Sequence, residues 1–268
     1  MTATPPILLV GCGRMGGAML AGWRERGLAS SIAVDPAPEA ARMAGPDLAV
    51  VADASGVPAD FAPAAVVLAV KPQSAAEALP LHARHAGRAV FLSIMAGRTI
   101  GGIRSLLGAS AGVVRAMPNT PAAVRQGVTV ACAGPGVSAS QRTLCESLLQ
   151  AIGVVAWADD EALLDPVTAV SGSGPAYVFL LAELMEQAAV EQGIPPDLAR
   201  LLARQTVAGS GVLLAASTED AAALRRAVTS PGGTTAEALK VLMAPDAWPA
   251  AMRRAIAEAT RRSRELAG

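Results

Sequence analysis

The chain has 268 residues, 52% of them hydrophobic and 16% charged, and its 22 basic and 22 acidic side chains cancel to zero formal net charge. That length suits one large domain or two modest ones, and that apolar content argues against disorder. Zero net charge excludes a global attraction to nucleic acid or to an anionic membrane. Three cysteines, Cys12, Cys132 and Cys145, form no C-x-x-C, so neither a disulfide framework nor a zinc ribbon is supported, no metal is expected, and a reducing, cytoplasmic setting fits. The segment Met1–Pro6 lacks the basic region of a secretory leader, and no stretch is expected to approach the roughly 18 apolar residues of a membrane span.

In chain order, largely apolar runs fall at 7–10, 32–34, 48–51, 64–70, 89–94, 112–116 and 128–133, with Ser93, Arg115 and Thr129 as the polar residues in the last three. Runs without alternation are what strands buried on both faces of a parallel sheet look like. Helical patterns lie between them at 15–26, 38–43, 74–85, 100–107 and 138–152. Alternation of strand and helix predicts an α/β fold, a Rossmann-type doubly wound sheet, over residues 1–160.

Beyond about Asp160 the β-branched runs stop. Alanine- and leucine-rich stretches at 163–170, 176–192, 196–216, 218–227, 235–242 and 247–266 predict an all-α domain over residues 161–268. Gly193-Ile194-Pro195-Pro196 reads as a helix stop followed by a helix start. So elongated a domain is expected to leave apolar faces bare, hence to associate with a second copy. The arginines of the last helix, Arg253, Arg254, Arg261, Arg262 and Arg264, alternate with Glu258 and Glu265 and read as a solvated face.

Chemistry enters at the first strand, which runs into Gly11-Cys12-Gly13-Arg14-Met15-Gly16. This is G-x-G-x-x-G with a strand before it and a helix after it, as dinucleotide binding requires. Gly11 serves the tight turn, Gly13 lets a pyrophosphate approach the backbone, and Gly16 lets helix and sheet pack closely. The helix start adds unpaired N–H groups and a positive dipole end. Asp35 ends the second strand, 24 positions after Gly11, where a carboxylate accepts from ribose hydroxyls and repels a 2′-phosphate. It leans the choice between NADH and NADPH towards NADH, although Arg42 on the next helix could still reach a phosphate and Asp35 also suits a turn before Pro36. Lys71, in Ala69-Val70-Lys71-Pro72, stands at a strand's carboxyl end, either beside the nicotinamide or as a surface lysine capping the strand.

A second anion site is expected far along the chain. Ser230-Pro231-Gly232-Gly233-Thr234-Thr235 precedes a helix, and its backbone N–H groups with three hydroxyls make a candidate carboxylate cradle, or else an ordinary cap and turn. Ser171-Gly172-Ser173-Gly174-Pro175 opens the long helix and reads as a close-packing point between domains, so the substrate is expected to meet the cofactor at the interface. His82 and His85 read as surface histidines. So few ionisable candidates suit hydride transfer, in which the cofactor carries the reactivity.

The blocks Val114-Arg115-Ala116-Met117-Pro118-Asn119-Thr120-Pro121, Val170–Tyr177 and Val228–Thr235 resemble the hallmark segments of pyrroline-5-carboxylate reductases, and the likeness spans the chain. The resemblance implies reduction of 1-pyrroline-5-carboxylate to L-proline by NADH or NADPH, the last step of proline biosynthesis. It also implies a homodimer through the helical domain that can assemble into a decamer. By the same resemblance Gly11–Gly16, Ala69, Val70, Lys71, Pro72, Met95, Ala96 and Gly97 line the cofactor. Ser230, Gly232, Gly233, Thr234 and Thr235 bind substrate, with Thr235 near the ring nitrogen. Thr235 and Lys71 are the candidate catalytic residues. A hydroxyl is too weak an acid to protonate an imine unaided, so the substrate binds as the iminium or water relays the proton. Asp35 departs from the pattern of NADPH-preferring members. A β-hydroxyacid dehydrogenase would need a lysine base leading the long helix, where none stands. A non-catalytic dinucleotide sensor would have no need of the Ser230–Thr235 loop.

Overall fold

A computed structural model describes residues 4–267; Met1, Thr2 and Ala3 of the amino-terminal segment, and Gly268, lie outside the described residues. By packing the chain divides into two units. One comprises the residues up to Gly172 together with the carboxyl-terminal stretch from Ala259; the other is Ser173–Glu258. The stretch 161–172 thus packs with the sheet, because Leu164 and Ala169 are fully buried in that unit.

The first unit is built on an eight-stranded sheet in the order β3-β2-β1-β4-β5-β6-β7-β8. Its strands are β1 Ile7–Val10, β2 Ser31–Val34, β3 Leu48–Val51, β4 Ala65–Leu68, β5 Val90–Ser93, β6 Gly112–Met117, β7 Gly127–Ala133 and β8 Gly153–Trp157. The apolar runs are strands because both sheet faces are covered. On one face Ile7, Leu9 and Val67 pack against Met19, Leu20 and Trp23 of α1 (Arg14–Glu25). α2 (Ala75–Ala78) and α3 (Ile100–Leu107) cover the other face, where Leu8, Val66 and Phe91 meet Ala75, Ile103 and Leu107. α4 (Ala139–Gln150) adds Cys145, Leu148 and Leu149 to the first face. The indole of Trp23, buried there, donates from Nε1 to the Leu148 carbonyl at 2.9 Å, so no polar atom of that side chain is stranded.

Four sequence expectations are corrected. The sheet is mixed, since β7 pairs antiparallel with β6 and parallel with β8. β8 itself was not foreseen: it is an edge strand whose exposure alternates, so it lacks the buried run that marks the others. The segment 74–85 is a single α-turn between 3-10 turns, with Pro80 lacking the N–H that a longer α-helix needs. In that 3-10 stretch Leu79, His82 and His85 recur every third residue on one face, so both histidines are buried, not on the surface. Burial, with His85 and Arg84 nearby, lowers the His82 pKa to about 4.

After a short α5 (Leu164–Val167) and a wide π-turn at Thr168–Gly172, the second unit is all-α. It holds α6 (Gly174–Glu191), α7 (Pro196–Ala216), α8 (Ala221–Ala227), α9 (Thr234–Leu242) and the start of α10 (Trp248–Ala267). Gly193 takes φ +86 at the foreseen stop between α6 and α7. This unit buries little of its own apolar surface. Phe179, Leu180 and Leu184 of α6, and Val212, Leu213 and Leu214 of α7, are all exposed. For the same reason the helical run Glu161–Glu191 is long and apolar enough, by length and composition alone, to cross a membrane, which corrects the expectation that no such stretch exists.

Candidate functional site

The carboxyl ends of β1 and β4 lie side by side where the strand order reverses, the crevice in which doubly wound sheets bind ligands. The loops that follow β1, β4 and β5 border it, and each is shaped by close backbone approach. Gly11 has φ +99, and a Cβ there would stand 2.7 Å from the Ala69 carbonyl oxygen. A Cβ on Gly16 would strike the Gly11 carbonyl oxygen. Gly13 differs: its φ is −62 and a Cβ would meet nothing within 4 Å. Fold packing therefore explains Gly11 and Gly16, while the bare backbone at Gly13 faces open space, where a ligand's pyrophosphate could approach it. α1 has no side-chain cap and no acid in its first turn, so its leading N–H groups stay available to an anion at Arg14 and Met15. These residues fit a dinucleotide.

Asp35 does more than the sequence suggests. One carboxylate oxygen accepts from the Cys12 N–H at 2.6 Å and the other from the Ala37 N–H at 2.9 Å. The side chain thus ties the glycine loop to the end of β2. Cys12 is buried, and burial followed by the neighbouring Asp35 charge pushes its thiol up to about 11. Lys71 is exposed at the end of the β4 loop, Ala69 and Val70 are half-buried, and Pro72 starts a 3-10 turn. After β5, Met95 is buried, Ala96 is exposed, and Gly97 turns with φ +69.

Three supports of this unit went unread in the sequence. Arg98 donates from Nε and Nη2 to the Pro72 carbonyl at 2.9 and 2.7 Å, which joins the β5 loop to the β4 loop. Asn119 donates from Nδ2 to the Ser171 carbonyl at 3.1 Å and accepts from the Val128 N–H at 2.9 Å. Glu161 accepts from the buried Arg115 at 2.9 Å and from the Ile100 N–H at 2.8 Å, at the start of α3. No local pattern marks these contacts, because Pro72, Ser171 and Ile100 lie 26, 52 and 61 residues from the side chains that bind them. Gly172, in the Ser171–Pro175 cluster, is the close-packing position: a Cβ there would stand 3.0 Å from Met117 Cε.

In the helical unit, Ser230–Gly233 leads directly into α9. Gly232 turns with φ +69, and the Gly233 N–H donates to the Ser230 carbonyl at 3.1 Å. A Cβ on Gly233 would stand 2.5 Å from Ser230 Oγ, so the serine hydroxyl is folded back over the helix start. α9 has no side-chain cap, which leaves the N–H groups of Thr234 and Thr235 free, with the Thr235 side chain half-buried on the first turn. The geometry is that of an anion cradle with hydroxyls at its rim.

Comparison with known proteins finds two family models along the chain. Residues 161–266 match the family model for pyrroline-5-carboxylate reductase dimerisation, and residues 6–97 match that for NADP oxidoreductase, coenzyme F420-dependent. A pyrroline-5-carboxylate reductase of Pseudomonas aeruginosa is 40% identical over 269 residues, covering 99% of this chain and 98% of its relative. The solved structure of a pyrroline-5-carboxylate reductase from Coxiella burnetii superposes with a TM-score of 0.91 at 31% identity, covering 99% of each chain. That of a Plasmodium falciparum pyrroline carboxylate reductase with NADP bound does so with a TM-score of 0.83 at 25% identity, covering both chains in full.

Proposed function

This chain belongs to the pyrroline-5-carboxylate reductase family, and from that membership we infer that it reduces 1-pyrroline-5-carboxylate to L-proline with NADH or NADPH, the last step of proline biosynthesis. One observation carries the residue-level reading. An uncapped helix start rimmed by Ser230, Thr234 and Thr235 is built for a carboxylate, in a chain whose other unit carries a dinucleotide cradle at Gly13.

Residues 1–160 carry the dinucleotide-binding role and 161–268 the substrate-binding and dimerisation role, although 161–172 and the stretch from Ala259 pack with the sheet unit. Gly11–Gly16 hold the pyrophosphate, Asp35 the adenosine ribose, and Ala69–Pro72 with Met95–Gly97 border the nicotinamide. When bound, the reduced nicotinamide supplies a hydride to the imine carbon. The chain's residues supply orientation. Backbone N–H groups of the Ser230–Thr235 loop, those at Gly232, Thr234 and Thr235, grip the substrate carboxylate and so fix which ring face is presented, while the Gly233 N–H closes the turn on the Ser230 carbonyl. Thr235 hydrogen-bonds at the ring nitrogen and, with Lys71 at the crevice, completes the catalytic set. The loop's own side chains are hydroxyls, too weakly acidic to protonate an imine, so the substrate arrives as the iminium or water relays the proton. Exposed apolar faces on α6 and α7 are covered by a second copy, and five such dimers form a decamer. The setting is cytoplasmic.

The deciding experiment adds 1-pyrroline-5-carboxylate to the purified protein with NADH or NADPH and follows nicotinamide absorbance. Proline should form with both cofactors, faster with NADH because the Asp35 carboxylate opposes a 2′-phosphate. No oxidation of either cofactor would sink the reading; equal rates would remove Asp35 from cofactor choice.

A further inference from the structure

The loops bordering the crevice are latched in series. Gly11 of the β1 loop lies against the Ala69 carbonyl of the β4 loop. The Pro72 carbonyl of that loop is held by Arg98, directly after the β5 loop. Gly97 of the β5 loop lies under the last turn of α10, where a Cβ would stand 3.0 Å from the Leu266 carbonyl oxygen. α10 is itself moored beside that loop, since Ser263 Oγ donates to Asp165 Oδ1 at 2.7 Å.

The first and third of these contacts are backbone against backbone. The middle one depends on a single side chain. A guanidinium with two N–H groups on one carbonyl oxygen makes charge-assisted hydrogen bonds of fixed direction, which an ammonium cannot duplicate. Arg98 is half-buried, and its fork spans from one crevice loop to the next.

We propose that Arg98 is a positioning residue for the bound dinucleotide: by gripping the Pro72 carbonyl it sets the spacing of the two loops that border the nicotinamide, and the end of α10 backs the same assembly. It touches neither substrate nor the reacting atoms. Its effect passes through Lys71–Pro72 on one side and Met95–Gly97 on the other. The proposal rests on the reading of this crevice as the cofactor site.

The test uses the full-length protein with Arg98→Met and Arg98→Lys. Binding of NADH, and separately of NADPH, is titrated by nicotinamide fluorescence without the imine substrate, and steady-state constants and Tm are measured beside it. Loosening the two loops should weaken dinucleotide binding in Arg98→Met roughly 10- to 100-fold, as small misplacements in a preorganised site do. The KM for the imine acid and the Tm should stay near wild type, and Arg98→Lys should recover part of the loss. A dinucleotide Kd in Arg98→Met within twofold of wild type overturns the proposal, as does a loss that merely tracks a fall in Tm. If Arg98→Met does not fold, Arg98→Lys decides: an intermediate Kd supports the role and a wild-type Kd removes it. Wild-type protein that binds dinucleotide but leaves the imine unreduced would defeat the functional reading alone, because the Kd comparison needs no turnover.

Discussion

The two units solve the problem of apolar surface in opposite ways. The sheet unit buries its strands between helices on both faces, with Leu8, Val66, Val67, Phe91 and Leu92 essentially inaccessible. The helical unit buries Ala199 and Ala203 on α7 and leaves Phe179, Leu201 and Val212 at 60 to 71% exposure. A helix that is apolar all round needs a cover, and residues 161–266, which hold these helices, match a dimerisation family model. A fold that closes on itself can host a ligand alone; one that does not must borrow surface.

The sharpest way to break this contrast is a charge on the bare face. Phe179→Asp should weaken self-association by on the order of 1000-fold, because a buried aromatic anchor is lost and an unpaired charge is buried in its place. Sedimentation across a concentration series reads it, and an unchanged assembly would refute the assignment of α6 to the interface.

In the same unit, Thr235→Ala should lower kcat by about 10- to 1000-fold, as loss of one orienting hydrogen bond does, with NADH binding intact. Wild-type turnover would remove Thr235 from the mechanism. If the substrate arrives as the iminium, kcat/KM should fall as pH rises through the iminium pKa, and a flat alkaline limb would show that water or the protein delivers the proton instead.

The glycine loop of the sheet unit offers a finer cut. Gly16→Ala forces a methyl onto the Gly11 carbonyl and should cost about 1–3 kcal/mol of stability. Gly13→Ala meets no protein atom, so its stability should stay within about 0.5 kcal/mol. Dinucleotide affinity in Gly13→Ala should nevertheless drop. Two glycines three residues apart would thereby be separated into one kept for the fold and one for the ligand. A Gly13→Ala protein that binds dinucleotide as wild type does would show that Gly13 has no such role.

Acid offers a further test of the sheet unit. His82 is neutral in the folded state, with a pKa lowered from 6.5 to about 4, so below pH 6.5 the unfolded chain binds the extra proton. Stability is full above 6.5 and declines as pH falls towards 4, by at most roughly 3.5 kcal/mol at about 1.4 kcal/mol per unit. In denaturant melts, His82→Leu should flatten that window; an unaltered slope would assign the acid sensitivity elsewhere.

Much of this architecture was legible because buried parallel strands announce themselves as unbroken apolar runs, as at Ile7–Val10 and Ala65–Leu68. Strand direction is not a local property, so nothing in Gly127–Ala133 signals that β7 runs against β6. β8 escaped notice because an edge strand with Val154 in solvent carries half the hydrophobic signal. His82 is polar and without ligand partners, so it reads as a surface residue, whereas the three-residue period of the turn that contains Pro80 directs it inward. At the candidate site, glycines and hydroxyls speak through their spacing along the chain. Arg98, Asn119 and Glu161 act across 26, 52 and 61 residues of separation, which no local pattern records.

The three cysteines are free and buried, and burial pushes the thiols of Cys12 and Cys145 up to about 11 and about 12. At neutral pH an alkylating reagent therefore finds almost no thiolate until the surrounding structure opens. The native protein carries its own clocks for local opening: Cys145 times exposure of the layer between α4 and the sheet, while Cys12 times breathing of the glycine loop and should slow when that loop is occupied.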